Sequence, residues 1–258
     1  MTELLDSVIE AHGGLERWEQ VAAIHWDMAI GGGFWAAKGW PDVLAHETFT
    51  TRAHQQHTTI APFGDPNRRA VWNGDLDTIR IESAEGELIE SRGQPRRSFD
   101  GYTRGTQWDA GEMGYFLGYA FWNYLTSPFT LTRPGIRTEE LPPWREAGQT
   151  WRRLLVEFPL EFDEHNPLQI FYYDSDLMQR RHDYITEIVG STLVAQYQSR
   201  HVEVDGLIFP SRRRVLRRNP DDSSNHNLIA MTFDLDNFVI ENRTMADSKE
   251  IRADDHLN

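Results

Sequence analysis

Between Leu168 and Arg218 the chain carries four short segments, at residues 169–173, 178–187, 194–204 and 207–218, separated by Asp174-Ser175-Asp176, by Gly190-Ser191 and by Asp205-Gly206. Asx residues and glycine at these points supply the left-handed backbone and local hydrogen bonds that close hairpins. Consecutive strands joined this tightly must run antiparallel, because a parallel pair needs a crossover of a dozen residues or more. The same stretch places Arg, His, Asp, Tyr and Gln where a plain core strand would carry Val or Leu.

If Asp205-Gly206 is a two-residue turn, Val204 pairs with Leu207, which sets Arg213 opposite Gln198 and Arg214 opposite Tyr197. Looser turns in the other hairpins would extend this to one polar row, Gln169, His182, Gln198 and Arg213, with Leu168, Asp183, Tyr197 and Arg214 on the opposite face. A slip of one residue exchanges the faces. On a solvated outer face the row forms ladder pairs such as Asp183 with Arg214, worth about half a kcal/mol. On a concave face Arg213 or Arg214 would hold a carboxylate or phosphate, joined by Arg180 and Gln198, and His182 would exchange protons near neutral pH. Asp183 cannot orient His182, since neighbours in a strand point to opposite sides.

Elsewhere the period of the apolar residues changes with position. Leu4, Leu5, Val8, Ile9, Leu15 and Trp18 recur at helical spacing behind a possible Thr2 N-cap, interrupted by Gly13-Gly14. From Val21 the period is two, through Ile24, Trp26, Met28 and Ile30, and Gly31-Gly32-Gly33 breaks the strand. Strands are expected at residues 43–53, 57–63, 69–72, 78–83 and 87–91, then a helix over 112–125 ended by Ser127-Pro128. Residues 133–149 hold three prolines and two glycines and read as a long loop that could serve as a lid. Strands follow at 151–158 and 228–240. The expectation is an α+β protein: one curved antiparallel sheet, a half-barrel over residues 1–241, with an N-terminal helix and an aromatic helix plugging its concave side, and a charged, frayed tail over 242–258.

That helix carries Tyr115, Gly118, Tyr119 and Trp122 on one face, with Phe116, Phe121 and Tyr124 beside it. The stripe is either core or the wall of a pocket. Aromatic stripes are as a rule packing, and the polar tips of buried Tyr and Trp, each needing a partner, add weight to a pocket holding a polar ligand or water. Trp108, Asp100 and Tyr102 precede the helix and could reach its mouth.

The helix ending in His12-Gly13-Gly14-Leu15-Glu16-Arg17-Trp18, the hairpin from Phe171-Tyr172-Tyr173-Asp174 to Arg180–Tyr184, and Val204-Asp205-Gly206-Leu207-Ile208-Phe209-Pro210 resemble elements of LolA/LolB-like proteins. The resemblance implies a half-barrel whose helices plug the concave side, where those carriers hold lipid acyl chains. The architecture is also similar to that of the violacein-pathway enzyme family, in which a cofactor-free half-barrel shapes a reactive aromatic intermediate. Two functions are therefore expected. One is a carrier or binder of a hydrophobic or aromatic small molecule, in one version anionic. The other is a cofactor-independent enzyme using His182, Tyr119 or Tyr173 for proton transfer, with Trp108, Tyr115, Tyr119, Trp122, Arg180, Gln198, Arg213, Asp100 and Tyr102 around the ligand.

The remaining signals are exclusions. The net charge of -14 repels a phosphate backbone, so nucleic acid is a poor partner, and no apolar run is long enough to span a membrane. There is no cysteine, which removes disulfides, thiolate metal ligands and a thiol nucleophile. His54, His57, His165 and His201 show no metal spacing, and Gly31-Gly32-Gly33 lacks the setting of a phosphate loop. No metal, nucleotide or other cofactor is expected. Glu161, Asp163 and Glu164 read as solvated carboxylates of a turn. The start Met1-Thr2-Glu3-Leu4-Leu5-Asp6 has no basic, apolar leader pattern, and a soluble, cytoplasmic protein is expected.

Overall fold

A computed structural model describes residues 2–41 and 47–244. The first part of the expected strand at 43–53 and the tail beyond residue 244 lie outside these. The strands are β1 (Val21–Gly31), β2 (Glu47–Arg52), β3 (His57–Ala61), β4 (Arg68–Asn73), β5 (Thr78–Ser83) and β6 (Leu88–Gly93), followed by β7 (Arg137–Glu146), β8 (Gln149–Glu157), β9 (Leu168–Tyr173), β10 (Gln179–Thr186), β11 (Thr192–Val204), β12 (Leu207–Arg218) and β13 (Ser224–Asn242). They form one sheet of 13 strands in the order β6-β5-β4-β3-β2-β1-β13-β12-β11-β10-β9-β8-β7. Every neighbouring pair is antiparallel. Two meanders are thus joined at the centre by the pairing of the first strand with the last. The sheet curves without closing, and β6 and β7 are its free edges.

The segment expected to be a lid is the edge strand β7, in register with β8 from Arg137↔Glu157 to Glu146↔Gln149. Pro142 and Pro143 fall where the register shifts between Leu141 and Trp144. An edge strand needs hydrogen-bond donors on one side only, so it accepts proline at such an irregularity. Proline counting cannot tell that edge from a loop.

Helix α1 (Glu3–Ala11) is capped by Thr2, whose Oγ1 accepts from the N–H of Leu5, and buries Leu4, Leu5, Val8 and Ile9. After α2 (Gly14–Trp18) the chain enters β1. The two motifs at its turn and at the β11–β12 hairpin dock on each other: Ile208 N donates to His12 O, and Arg17 donates to Asp205 through Nε and Nη2. A Cβ on Gly13 would lie 2.2 Å from the carbonyl oxygen of Gly206, so this contact requires glycine.

Helix α4 (Ala110–Thr126) lies inside the curve, against β2 to β6, and every residue after Ala110 is buried. Asp109 and Glu112 close its start as a capping box. Gly118 meets β4 so closely that an added Cβ would stand 2.4 Å from the Cβ of Trp72. Trp26, Phe49 and Phe121 pack together on the same inner side, with ring centroids 4.3–5.4 Å apart. Among the described residues no helix is long and apolar enough to cross a membrane.

Candidate functional site

The expected register holds where the turn is tight and shifts where it is loose. Gln198 faces Arg213, Tyr197 faces Arg214 and Val204 faces Leu207. His182, however, faces Gln196 rather than Gln198, and Phe171 rather than Gln169. A 3-10 turn at Glu187–Val189 and a bulge between Gln179 and Arg181 absorb the difference. A displacement of two residues keeps each side chain on its face. The polar row therefore survives, and it lies on the inner side, buried against α4.

There Arg213 donates from Nη1 to Gln196 Oε1 at 2.8 Å and from Nη2 to Tyr124 O at 2.9 Å, with its guanidinium 4.6 Å from the Tyr124 ring centre. Burial lowers its pKa to about 10, so it remains a cation at neutral pH. Gln198 Nε2 donates to Gln196 Oε1. His182 stacks on Phe171 at 4.1 Å and bonds through Nε2 to Gln169 Oε1. Burial, followed by the nearby His165 and Arg213, holds His182 well below the usual histidine range. It is neutral at pH 7.

Of the three carboxylates expected in solvent, Glu161 is exposed, but Asp163 and Glu164 are drawn inside. Residues 158–167, between β8 and β9, fold across α4 so that Asp163 accepts from Tyr115 Oη at 2.8 Å and from Trp72 Nε1 at 3.3 Å. Glu164 accepts from Gln169 Nε2, and burial pushes its pKa up to about 8. Arg96 anchors this strap, donating to the carbonyls of Glu164 and His165 and to Glu187. His165, which had no sequence signal, sits at the centre: Tyr119 Oη is 2.9 Å from its Nδ1 and Tyr124 Oη 2.6 Å from its Nε2, while its ring stacks on Tyr184 at 4.0 Å. Burial lowers its pKa to about 3. Tyr124 Oη continues to Tyr184 Oη at 2.9 Å. The tyrosine tips of the aromatic helix are thus satisfied by the protein's own strap.

The outer face is also not a simple solvated ladder. Asp183 binds Arg181 through two hydrogen bonds, and Arg181 reaches Glu146 and the carbonyl of Asp222 under Trp144. Arg214 pairs with Asp234, not with Asp183. The edge strand β7 supplies Trp144 and Glu146, so the unrecognised strand also hid this cover.

The sequence-derived candidates are distributed as follows. Tyr115, Tyr119, Trp122 and Tyr173 are enclosed, and Trp122 Nε1 donates to Arg52 O. Tyr102 Oη donates to Glu112, Asp100 is exposed, and Arg180 pairs with Asp174 at the surface end of its hairpin. Trp108 lies behind two other rings, Phe34 at 5.5 Å and Phe116 at 5.1 Å.

Those two rings line an open cleft of about 270 Å³. It sits between α3 (Phe34–Ala37), the first half of α4 and the ends of β10 to β13, walled by Phe116, Val194, Val215, Leu228 and Met231, with Arg104 and Arg217 also lining it. Along the inner face β11 and β12 pass from an apolar residue in the cleft to a polar one beyond it, Val194 to Gln196 and Val215 to Arg213, while β10 passes from Thr186 to Tyr184. The cleft thus ends on the buried polar layer. None of the candidates drawn from the sequence lines it. They were sought on the helix's aromatic stripe and on the polar row of β10 to β12, whereas the opening lies at the ends of β10 to β13.

No protein-family model matches the sequence, and no curated protein matches it. Solved structures do match. A DUF1329 family protein from Desulfovibrio piger superposes with a TM-score of 0.53 at 14% identity, over 92% of this chain and 92% of its own. A LolA superfamily protein from Nitrosomonas europaea superposes with a TM-score of 0.51 at 7% identity, over 92% of this chain and 94% of its own. The chain has a LolA-like fold.

Proposed function

We propose that this protein binds a hydrophobic small molecule in the cleft between α3, α4 and the ends of β10 to β13. The observation that carries the reading is the wall of Phe34, Phe116, Val194, Val215 and Met231 around a space of about 270 Å³ on the concave side. That volume is near the lower end of the roughly 300–1,000 Å³ range of small-molecule sites, which suits one slender chain or ring system better than a multi-chain lipid. Leu228, 63% exposed, carries the apolar lining out to the mouth. The resemblance to half-barrel carriers points the same way, although here the concave side over β2 to β6 is filled by α4.

Each buried methylene contributes about 0.8 kcal/mol, so a chain of roughly eight carbons gains about 6 kcal/mol before the cost of immobilising it. Binding is thus driven by the tail. Native mass spectrometry of freshly purified protein tests the reading, with Ala230→Trp, at a cleft-lining position, as the blocking variant. A retained small molecule that disappears in the variant is expected. A ligand retained equally by both proteins places the site elsewhere.

A further inference from the structure

We infer that the cleft selects amphiphiles with an anionic head, and that Arg217 and Arg104 read that head at the mouth. The inference rests on the cleft being the ligand site and adds the chemical class. The chain has 40 acidic and 26 basic side chains, yet the charged residues lining the cleft are two arginines and no carboxylate. A mouth with that sign, on a protein of net charge -14, is a local reversal of the surface field.

Each arginine is placed by the fold. Arg217 continues the inner-face row of β12, Arg213, Val215, Arg217, and pairs in register with Val194, so its side chain rises from the wall against which a tail would lie. It is exposed and enters no ion pair among the described residues, which leaves its planar fork free for a carboxylate. Arg104 comes from the other side of the mouth. Its carbonyl is held by the buried Lys38 Nζ at 3.0 Å, and its Nε donates to Thr192 Oγ1 at 3.2 Å, leaving its terminal nitrogens for a ligand. The deep end offers Phe116, Val215 and Met231 to the tail. Polarity therefore fixes orientation: tail inward, head outward between the two guanidinium groups.

The test uses the full chain with the neutral dye Nile red as reporter and decanoic acid, decanol and decylamine as competitors. In the parent the acid displaces the dye roughly five- to tenfold more effectively than the alcohol, and the amine is weakest. Added salt narrows the acid's advantage. In Arg104→Ala/Arg217→Ala the acid falls to the level of the alcohol, while the alcohol competes as in the parent, which also reports an intact cleft. Equal competition by acid and alcohol in the parent, or an acid preference that survives the double variant, overturns the anionic-head inference and leaves the cleft reading standing. If neither Nile red nor any of the three competitors binds, both fall.

Discussion

Arg213 donates its Nη2 to the backbone carbonyl of Tyr124 at 2.9 Å. In a helix that carbonyl takes the N–H four residues on, which here would be Pro128, a residue without one. The guanidinium from β12 therefore completes the C-terminal turn of a buried helix, and its positive charge sits at the negative end of the helix dipole. This gives a purpose to a buried arginine whose side-chain hydrogen bonds go to an amide and a carbonyl.

Arg213→Ala accordingly lowers stability by about 2–4 kcal/mol, from an unpaired buried carbonyl and lost packing. Chemical denaturation of the variant and the parent measures it. A variant as stable as the parent would mean that the cap contributes nothing.

Stability falls as pH rises from about 6.5 to about 8. Burial pushes the carboxyls of Glu164 and Glu47 up to about 8, so the folded protein keeps protons that the unfolded chain gives up near 4.5. Their stabilising contribution is complete below the unfolded value and is lost as pH climbs through the folded one, by up to about 1.4 kcal/mol per unit for each group. His165 and His182, lowered by burial, act in the opposite sense only below about pH 6.5, where the unfolded imidazole gains a proton. Melting curves across this window should slope downward, and Glu164→Gln should flatten them. An unchanged slope in the variant would count against a protonated Glu164.

Core and site should separate under mutation. Trp122 is enclosed between β4, the strap and Arg133, outside the cleft, so Trp122→Ala costs about 3–5 kcal/mol while Nile red binding persists in the folded protein. Gly118→Ala forces a methyl against Trp72 and costs about 1–3 kcal/mol. Loss of dye binding in a folded Trp122→Ala protein would move the site under the helix.

The fold was legible because its signals are local. The Asp205-Gly206 turn set the pairing of Gln198 with Arg213, and alternation in β1 marked Ile24, Trp26 and Met28 as inward. The site was not, because its determinants are tertiary. Asp163, Glu164 and His165 lie in a polar segment after Pro159, and only the approach of α4 turns them from solvated groups into buried partners of Tyr115, Gln169 and Tyr119. Arg104 and Arg217 stand 113 positions apart in the sequence, and no motif joins them. The edge strand β7 was hidden by its own prolines.

The most direct test of the account is a crystal structure with decanoic acid brominated at the end of its tail, located by anomalous scattering. The account predicts a bromine peak beside Phe116, Val215 and Met231, with the carboxylate between Arg217 and Arg104. A peak between α4 and β2–β6, or on the outer face, would contradict it.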